Sequence, residues 1–325
     1  MGIKAFNVTI QGASHIKKNK ECQDASKSFF CENFAVAVVC DGHGGDDYIR
    51  SAIGSEKASK IAMDHIKKFV TNVDREKLTR QTECILRALE ASIIAAWNQE
   101  VSEHWLNNPI TEREKEQLSE KAKRRYLAED NKFQSAYGTT LIAAVLANDY
   151  WFCFQIGDGK CVWITNDSKF EQLELDERCF LNATTSLCDS DALAHFHYCF
   201  GETLPAAVFV GSDGVDDCFK DDEQLYSFYK AISYSFANEG TEKKAQQELE
   251  EFLPRLSQKG SGDDISVAAV LNMDVLQKTT LVNDYNRDNE SARKNLAEQE
   301  ENRRFEELKK RTNKTGSDVE LTKEE

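Results

Sequence analysis

Apolar positions along the chain fall into two patterns, continuous short runs and helical repeats. Ile3, Ala5, Phe6, Val8 and Ile10 alternate with polar residues, which predicts a first strand over 3–10. Phe29 to Val39 supplies a second and third strand with a turn near Glu32-Asn33. Phe34 to Val39 is unbroken and β-prone, as expected of a strand buried on both faces. Leu141–Ala147 and Tyr150–Ile156 are two further runs, joined by Asn148-Asp149 as a short hairpin. Cys161–Ile164, Ala206–Val210 and Ile265–Leu271 complete the strands.

Helical spacing alternates with these runs. Asp47 to Val70 carries Ile49, Ile53, Ile61, Ile66 and Phe69 on one face, and Leu78, Ile85, Leu89, Ile93 and Trp97 mark a helix within 75–106. Thr111 and Glu114 form a capping-box pattern that opens a very polar helix to about Glu129, read as a surface excursion. Leu225, Phe228, Tyr229, Ile232 and Phe236 define another helix. One more runs from Thr241 to Ser257, disturbed by Pro254. Residues 165–204 carry no assignable pattern.

The run Phe34–Val39 ends in Cys40-Asp41-Gly42-His43-Gly44-Gly45, an acid and an imidazole set among glycines that permit close backbone approach. The device recurs. Asp158 lies in Gly157-Asp158-Gly159, Asp213 in Ser212-Asp213-Gly214, and Asp263 in Gly262-Asp263-Asp264, each at a strand terminus. One such acid is a turn residue. Four at the ends of strands that share a core imply carboxylates converging on metal, because their repulsion demands cations between them.

Charge and composition agree with that reading. The 325 residues carry a net charge of −15, which argues against nucleic acid as a partner. No run of 18 apolar residues occurs, so no membrane span is expected. MGIKAFNVTIQGASH has no apolar core of signal-peptide length, and Phe6 stands where a myristoylation motif wants Ser or Thr. The ten cysteines are scattered without C-x-x-C, as in a reducing compartment, so a cytoplasmic protein is expected.

The ordered blocks resemble the metal-dependent Ser/Thr protein phosphatases (PPM, type 2C). They are Gln23-Asp24, Asp41-Gly42-His43-Gly44-Gly45, Gly138-Thr139-Thr140, Ile156-Gly157-Asp158-Gly159, Ser212-Asp213-Gly214 and Asp263-Asp264-Ile265-Ser266-Val267. The resemblance implies an α+β fold, a four-layer α/β/β/α sandwich of two antiparallel sheets flanked by helices. It implies a catalytic domain over 1–275. It also implies hydrolysis of phosphoserine and phosphothreonine by a water activated between two Mg²⁺ or Mn²⁺ ions, with a third ion site. Asp41 would bridge the ions, the Gly42 carbonyl would ligate the second, and Asp213 and Asp263 would complete the first. Asp24 would act through water, Asp158 would hold the third ion, and His43 would protonate the leaving alcohol.

The chain departs from the family pattern in places. Asn19 stands where better-known eukaryotic members place a phosphate-binding arginine, Gln23-Asp24 replaces an acid pair, and Gly159-Lys160 stands where Ser-Arg is common. If the segment around Asn19 is extended, Lys17 and His15 share its face, so both become candidate phosphate-binding residues, Lys17 first. Two other functions fit the same residues: an impaired protein that binds phosphoprotein without hydrolysing it, and a hydrolase of small phosphate esters. The tail, 276–325, pairs Glu290 with Lys294, Glu300 with Arg304, Glu306 with Lys310 and Glu307 with Arg311, which predicts a charged, partly disordered helix open to a partner. A monomer acting on phosphoprotein substrates is expected.

Overall fold

Two five-stranded antiparallel sheets lie at the centre of the computed structural model, which describes residues 2–127, 132–180, 183–237 and 240–279. The strands are Ile3–Ile10 (β1), Ala25–Phe30 (β2), Phe34–Cys40 (β3), Leu141–Ala147 (β4), Trp151–Ile156 (β5), Lys160–Ile164 (β6), Phe170–Gln172 (β7), His197–Gly201 (β8), Ala207–Gly211 (β9) and Ile265–Asn272 (β10). One sheet runs in the order β1-β10-β9-β6-β7, the other β2-β3-β4-β5-β8. The helices are Ala13–Lys18 (α1), Ser51–Asn72 (α2), Arg75–Arg80 (α3), Thr82–Asn107 (α4), Glu112–Gln117 (α5), Glu120–Leu127 (α6), Asp213–Asp216 (α7), Asp222–Ala237 (α8), Glu242–Lys259 (α9) and Met273–Leu276 (α10). None of these helices is long and apolar enough to cross a membrane. The expected α/β/β/α sandwich is the architecture observed.

Strand parity explains why β3 and β4 are apolar at every position. Ala35, Ala37 and Val39 of β3, with Ile142, Ala144 and Leu146 of β4, face the second sheet and meet Val208, Val210, Ala268 and Val270. Val36, Val38 and Cys40, with Leu141, Ala143 and Val145, face the other way, onto Ala58, Ala62 and Ile66 of α2 and Leu86, Ile93 and Trp97 of α4. Two buried faces leave no polar alternation to write. On the opposite flank Phe6 of β1 stacks on Phe236 of α8 at 4.4 Å, and Phe209 of β9 stacks on Tyr229 at 4.4 Å.

Several expectations need correction. The segment 15–20 is not extended. It forms α1, closed by Asn19 in the left-handed region (φ 53°), with Lys20 N–H donating to the His15 carbonyl at 2.9 Å. Asparagine tolerates that conformation, and the αL cap ends the helix. The polar helix expected from Thr111 to Glu129 breaks into α5 and α6 at Leu118-Ser119, and Leu118, Ala122 and Tyr126 are buried. Buried Arg50 ties this excursion to the core. Its Nε donates to Glu114 at 2.9 Å, and its guanidinium lies 4.9 Å from the Trp105 ring. Pro254 does not interrupt α9, whose Leu249 and Leu253 are buried. Residues 165–204, unassigned from pattern, contribute the short β7 and the edge strand β8. The helical tail expected over 276–325 lies outside the described residues from 280 onward.

Gly54 in α2 gives a test of this packing. An added Cβ would lie 1.9 Å from the Tyr137 carbonyl oxygen, a backbone atom that cannot rotate away. Glycine to alanine inside a helix ordinarily stabilises by about 1 kcal/mol, but overpacking costs about 1–3 kcal/mol. Gly54→Ala should therefore destabilise, by up to about 2 kcal/mol in urea unfolding. A more stable variant would show that α2 is free to shift away from Tyr137.

Candidate active site

The layer between the two sheets ends in acids. Register pairs Ala25 of β2 with Cys40 of β3, so Asp24 and Asp41 occupy the next cross-strand step. There the Gly42 amide donates to the Gln23 carbonyl at 3.1 Å. Asp213 follows β9, Asp263 and Asp264 precede β10, and Asp158 lies in the turn between β5 and β6. Six aspartates (Asp24, Asp41, Asp158, Asp213, Asp263 and Asp264) thus line one cavity of about 330 Å³, together with His15, Gln23, Gly42, His43, Tyr48, Thr140 and Thr184. Among the described residues, no lysine or arginine lines it.

Backbone and hydroxyl contacts fix these acids from behind. The Asp41 amide donates to Thr140 Oγ1 at 3.0 Å, and the Asp41 carbonyl accepts from the Thr140 amide at 2.8 Å and Thr139 Oγ1 at 2.9 Å. The His43 amide donates to the Gly138 carbonyl at 3.1 Å, which sets the Asp-Gly-His turn against Gly138-Thr139-Thr140. At Gly42 a Cβ would meet the Gln23 carbonyl oxygen at 2.5 Å, so the position needs glycine for close approach. Gly44 has no such demand, since only Gln23 Oε1, at 3.8 Å, would be near. Asp264 is fully engaged: Oδ1 accepts from the Gly12 amide and Oδ2 from the Gln23 amide, both at 2.6 Å. Gly214 packs so tightly under Asp264 that a Cβ would lie 1.9 Å from its carbonyl oxygen.

Crowding these acids raises their pKa values. Burial, then the Asp264 charge, pushes Asp24 up to about 8. Burial and the neighbouring Asp24 and Asp213 hold Asp41 well above the ordinary range. Burial pushes Asp213 up to about 6 and raises Asp158. Burial also drives the His43 imidazole down to about 4, and its ring packs edge-on against Tyr48 at 4.8 Å.

The donor set fits divalent cations. It is rich in hard carboxylate oxygens, it contains no cationic side chain, and the buried Asp24 Oδ2 has no hydrogen-bond partner among the described residues. Asp41, Asp158, Asp213, Asp263, Gly42 and Asp24 are all brought to this cavity. Lys17 is not. It is exposed on α1 and absent from the cavity lining, because the helix removes the parity that placed it beside Asn19. His15 does line the cavity, but its ring nitrogens face Asp263 and Asp264 rather than open space for phosphate. His65, His104, His195 and His197 lie outside the lining.

Sequence reasoning underrated Asp264, Tyr48 and Thr184. The signal for Asp264 was present: positions 264, 266, 268 and 270 share a parity, and Ala268 and Val270 face the other sheet. Tyr48 and Thr184 lie in irregular segments, where no periodicity marks a side chain as inward. Lys160, which departs from the family pattern, pairs with Asp216 at 3.7 Å and Asp222 at 2.5 Å, away from the cavity acids. A larger cavity of about 990 Å³ is lined by Arg87, Arg125, Lys132, Asp189 and Asp191 among others.

Comparison with known proteins places this geometry. A family model for "Protein phosphatase 2C" matches residues 11–254. No curated protein matches the sequence. Among solved structures, PppA, a regulatory component of T6SS in Pseudomonas aeruginosa, aligns with TM-score 0.50 and 15% identity over 83% of this chain and 98% of its own. A C. elegans sex determining protein aligns with TM-score 0.51 and 17% identity over 87% of this chain and 68% of its own. The serine/threonine phosphatase Stp1 from Staphylococcus aureus aligns with TM-score 0.49 and 16% identity, over 84% of this chain and 96% of its own. The first two likenesses carry the fold.

The raised pKa values carry a sign. The folded protein holds protons on Asp24, Asp41 and Asp213 that the unfolded chain, with carboxylates near 3.8, has released. Their contribution is fully favourable below about pH 4 and is lost as pH rises towards about 8. Metal-free protein should therefore lose thermal stability between pH 5 and 8. Millimolar Mn²⁺ or Mg²⁺ should restore it, most strongly at the alkaline end. A melting temperature that is flat in pH and unmoved by divalent ions would remove the acids from any metal role.

Proposed function

This chain belongs to the protein phosphatase 2C family, and from that premise we propose that it hydrolyses phosphoserine and phosphothreonine in proteins at a dinuclear Mg²⁺ or Mn²⁺ centre. The observation that carries the reading is the convergence of six aspartates and His43 on a cavity that no lysine or arginine lines among the described residues. A phosphate dianion cannot enter such a field unaided. Divalent ions, when bound, neutralise that charge and make water a nucleophile near neutral pH. Asp41, Asp213 and Asp263 would hold the first ion, Asp41 and the Gly42 carbonyl the second, with Asp24 acting at one remove. Asp158 would serve a third, weaker site.

The chain's own contribution is to position and to move a proton. Thr139, Thr140 and Gly138 hold the Asp41-Gly42-His43 turn rigid, so its donors do not reorganise on binding. His43 would donate a proton to the departing serine or threonine oxygen. Burial disfavours the imidazolium that this role requires. No cysteine is needed as nucleophile; all ten are free thiols.

Release of phosphate from a phosphoserine peptide, with and without Mn²⁺, is the deciding assay. Asp213→Asn or Asp263→Asn should remove most activity at ordinary Mn²⁺ concentrations, because each loses a ligand charge. Binding of phosphopeptide without turnover in the metal-loaded wild type would instead identify a non-hydrolysing binder. Faster turnover of small aryl phosphates than of any phosphopeptide would identify a small-ester hydrolase.

His43→Ala separates the proton donor from a structural role. Turnover of the phosphopeptide should fall by roughly 10²–10⁴-fold. The loss with p-nitrophenyl phosphate should be smaller, since its leaving group needs little protonation. Equal losses on both substrates would point to damage of the turn.

A further inference from the structure

His15 has no part in the reading above, yet it is only 8% exposed and its two ring nitrogens face two carboxylates. Nδ1 lies 3.0 Å from Asp264 Oδ2, and Nε2 lies 3.4 Å from Asp263 Oδ1. The approach to Asp264 is short but misaligned, so the buried Nδ1 makes no well-formed hydrogen bond. Ligand atoms of His15, Asp263 and Asp264 all fall within 4.8 Å of one another.

The two carboxylates differ. Asp264 is buried and already accepts two backbone amides, from Gly12 and Gln23, at 2.6 Å each. Asp263 is exposed to the cavity, with its side chain 55% accessible. A ring with one nitrogen beside an engaged, buried carboxylate presents its other nitrogen beside an open one. That is the usual setting of a metal-binding histidine, whose second nitrogen donates to an outer carboxylate. Two ligands about 2.1 Å from one ion lie about 3–3.5 Å apart, which matches the 3.4 Å between Nε2 and Asp263 Oδ1.

We propose that His15 is a metal ligand: Nε2 joins Asp263 on the same divalent ion, and Asp264 orients the ring from behind. The proposal rests on the cavity being the metal centre. It gives an otherwise all-oxygen site one nitrogen donor. Imidazole suits the transition metals better than Mg²⁺, so the site should favour Mn²⁺ over Mg²⁺ more than an all-carboxylate set would.

The test is pulsed EPR on the full chain loaded with Mn²⁺, prepared with natural-abundance and with ¹⁵N-labelled histidine. Nitrogen coupling to Mn²⁺ should appear, change with the label, and vanish in His15→Gln. Calorimetric titration should show the Mn²⁺ Kd rising by roughly 10-fold or more in His15→Gln, with Mg²⁺ affected less. Asp264→Asn should weaken Mn²⁺ binding while leaving some nitrogen coupling. Stoichiometric Mn²⁺ without nitrogen coupling in the wild type overturns the proposal, and needs no variant to fold. Coupling that survives in His15→Gln also overturns it. If Mn²⁺ binds, and Asp213→Asn weakens it, but no nitrogen couples, only the role of His15 falls. If the wild type binds no Mn²⁺, the metal-centre reading falls with it.

Discussion

Mutual repulsion among carboxylates at the rim of the inter-sheet layer is the constraint on which this structure turns. Six aspartates share a cavity of about 330 Å³ with no lysine or arginine in its lining among the described residues. Like charges this close oppose ionisation, and burial opposes it further, so the group resists its own charge. Protons can relieve the repulsion, as the raised pKa values of Asp24 and Asp213 record, or cations from solution can. Above those raised pKa values only the second route remains. The fold tolerates the cluster because the sheets behind it are densely apolar, with Ala35, Ala37, Val39, Ala144 and Ala268 fully buried between them.

The same geometry that buries the core also builds the site. Strand side chains alternate, so the residue that follows an inward position by two points inward again. Val39 faces the second sheet, and Asp41 continues that parity just beyond the strand end. Ala268 and Val270 face inward on β10, and stepping back along it reaches Ser266 and then Asp264. Ser266 belongs to a polar seam: its Oγ lies 2.7 Å from Thr9 Oγ1, which lies 2.6 Å from Ser26 Oγ on the other sheet. The interior thus grades from alanine and valine through hydroxyls to carboxylates within the length of a strand. Hydroxyls satisfy hydrogen bonds in a half-buried layer where an unpaired polar group would cost about 1–3 kcal/mol.

What could be read in the sequence follows from this regularity. The strands and their two-faced burial obey a period of two that Asp41 continues, while Asp213 and Asp263 stand out by the glycines beside them at strand ends. The family resemblance added order to those blocks and named the sandwich. Reading failed where local structure is decided by tertiary contacts. Ala13–Lys18 is too short to be helical alone. It is held by Ser14 N–H on the Gly262 carbonyl at 2.8 Å and Ala13 N–H on Ser257 Oγ at 3.0 Å, partners about 250 residues away in the chain. Lys17 was misplaced for that reason alone. The excursion after α4 reads as very polar, but Arg50 reaches it through Glu114, and no pattern within 111–129 encodes that contact.

The absence of basic residues from the cavity has its own logic. A lysine among these aspartates would pair with them, and a metal ion would have to displace it before binding. Among the described residues the lining is free of lysine and arginine, which leaves its carboxylates open to divalent ions. Lys160 illustrates the separation. It follows Asp158 by two residues, yet its ammonium is held by Asp216 and Asp222 instead of the cavity acids. Arg125 and Lys132 line the neighbouring, larger cavity. Burial raises the phenol pKa of Tyr48, a residue of the acidic cavity, and Arg125 lies close enough to oppose part of that rise. Among the described residues, positive charge therefore sits outside the acidic lining, at Lys160, Arg125 and Lys132.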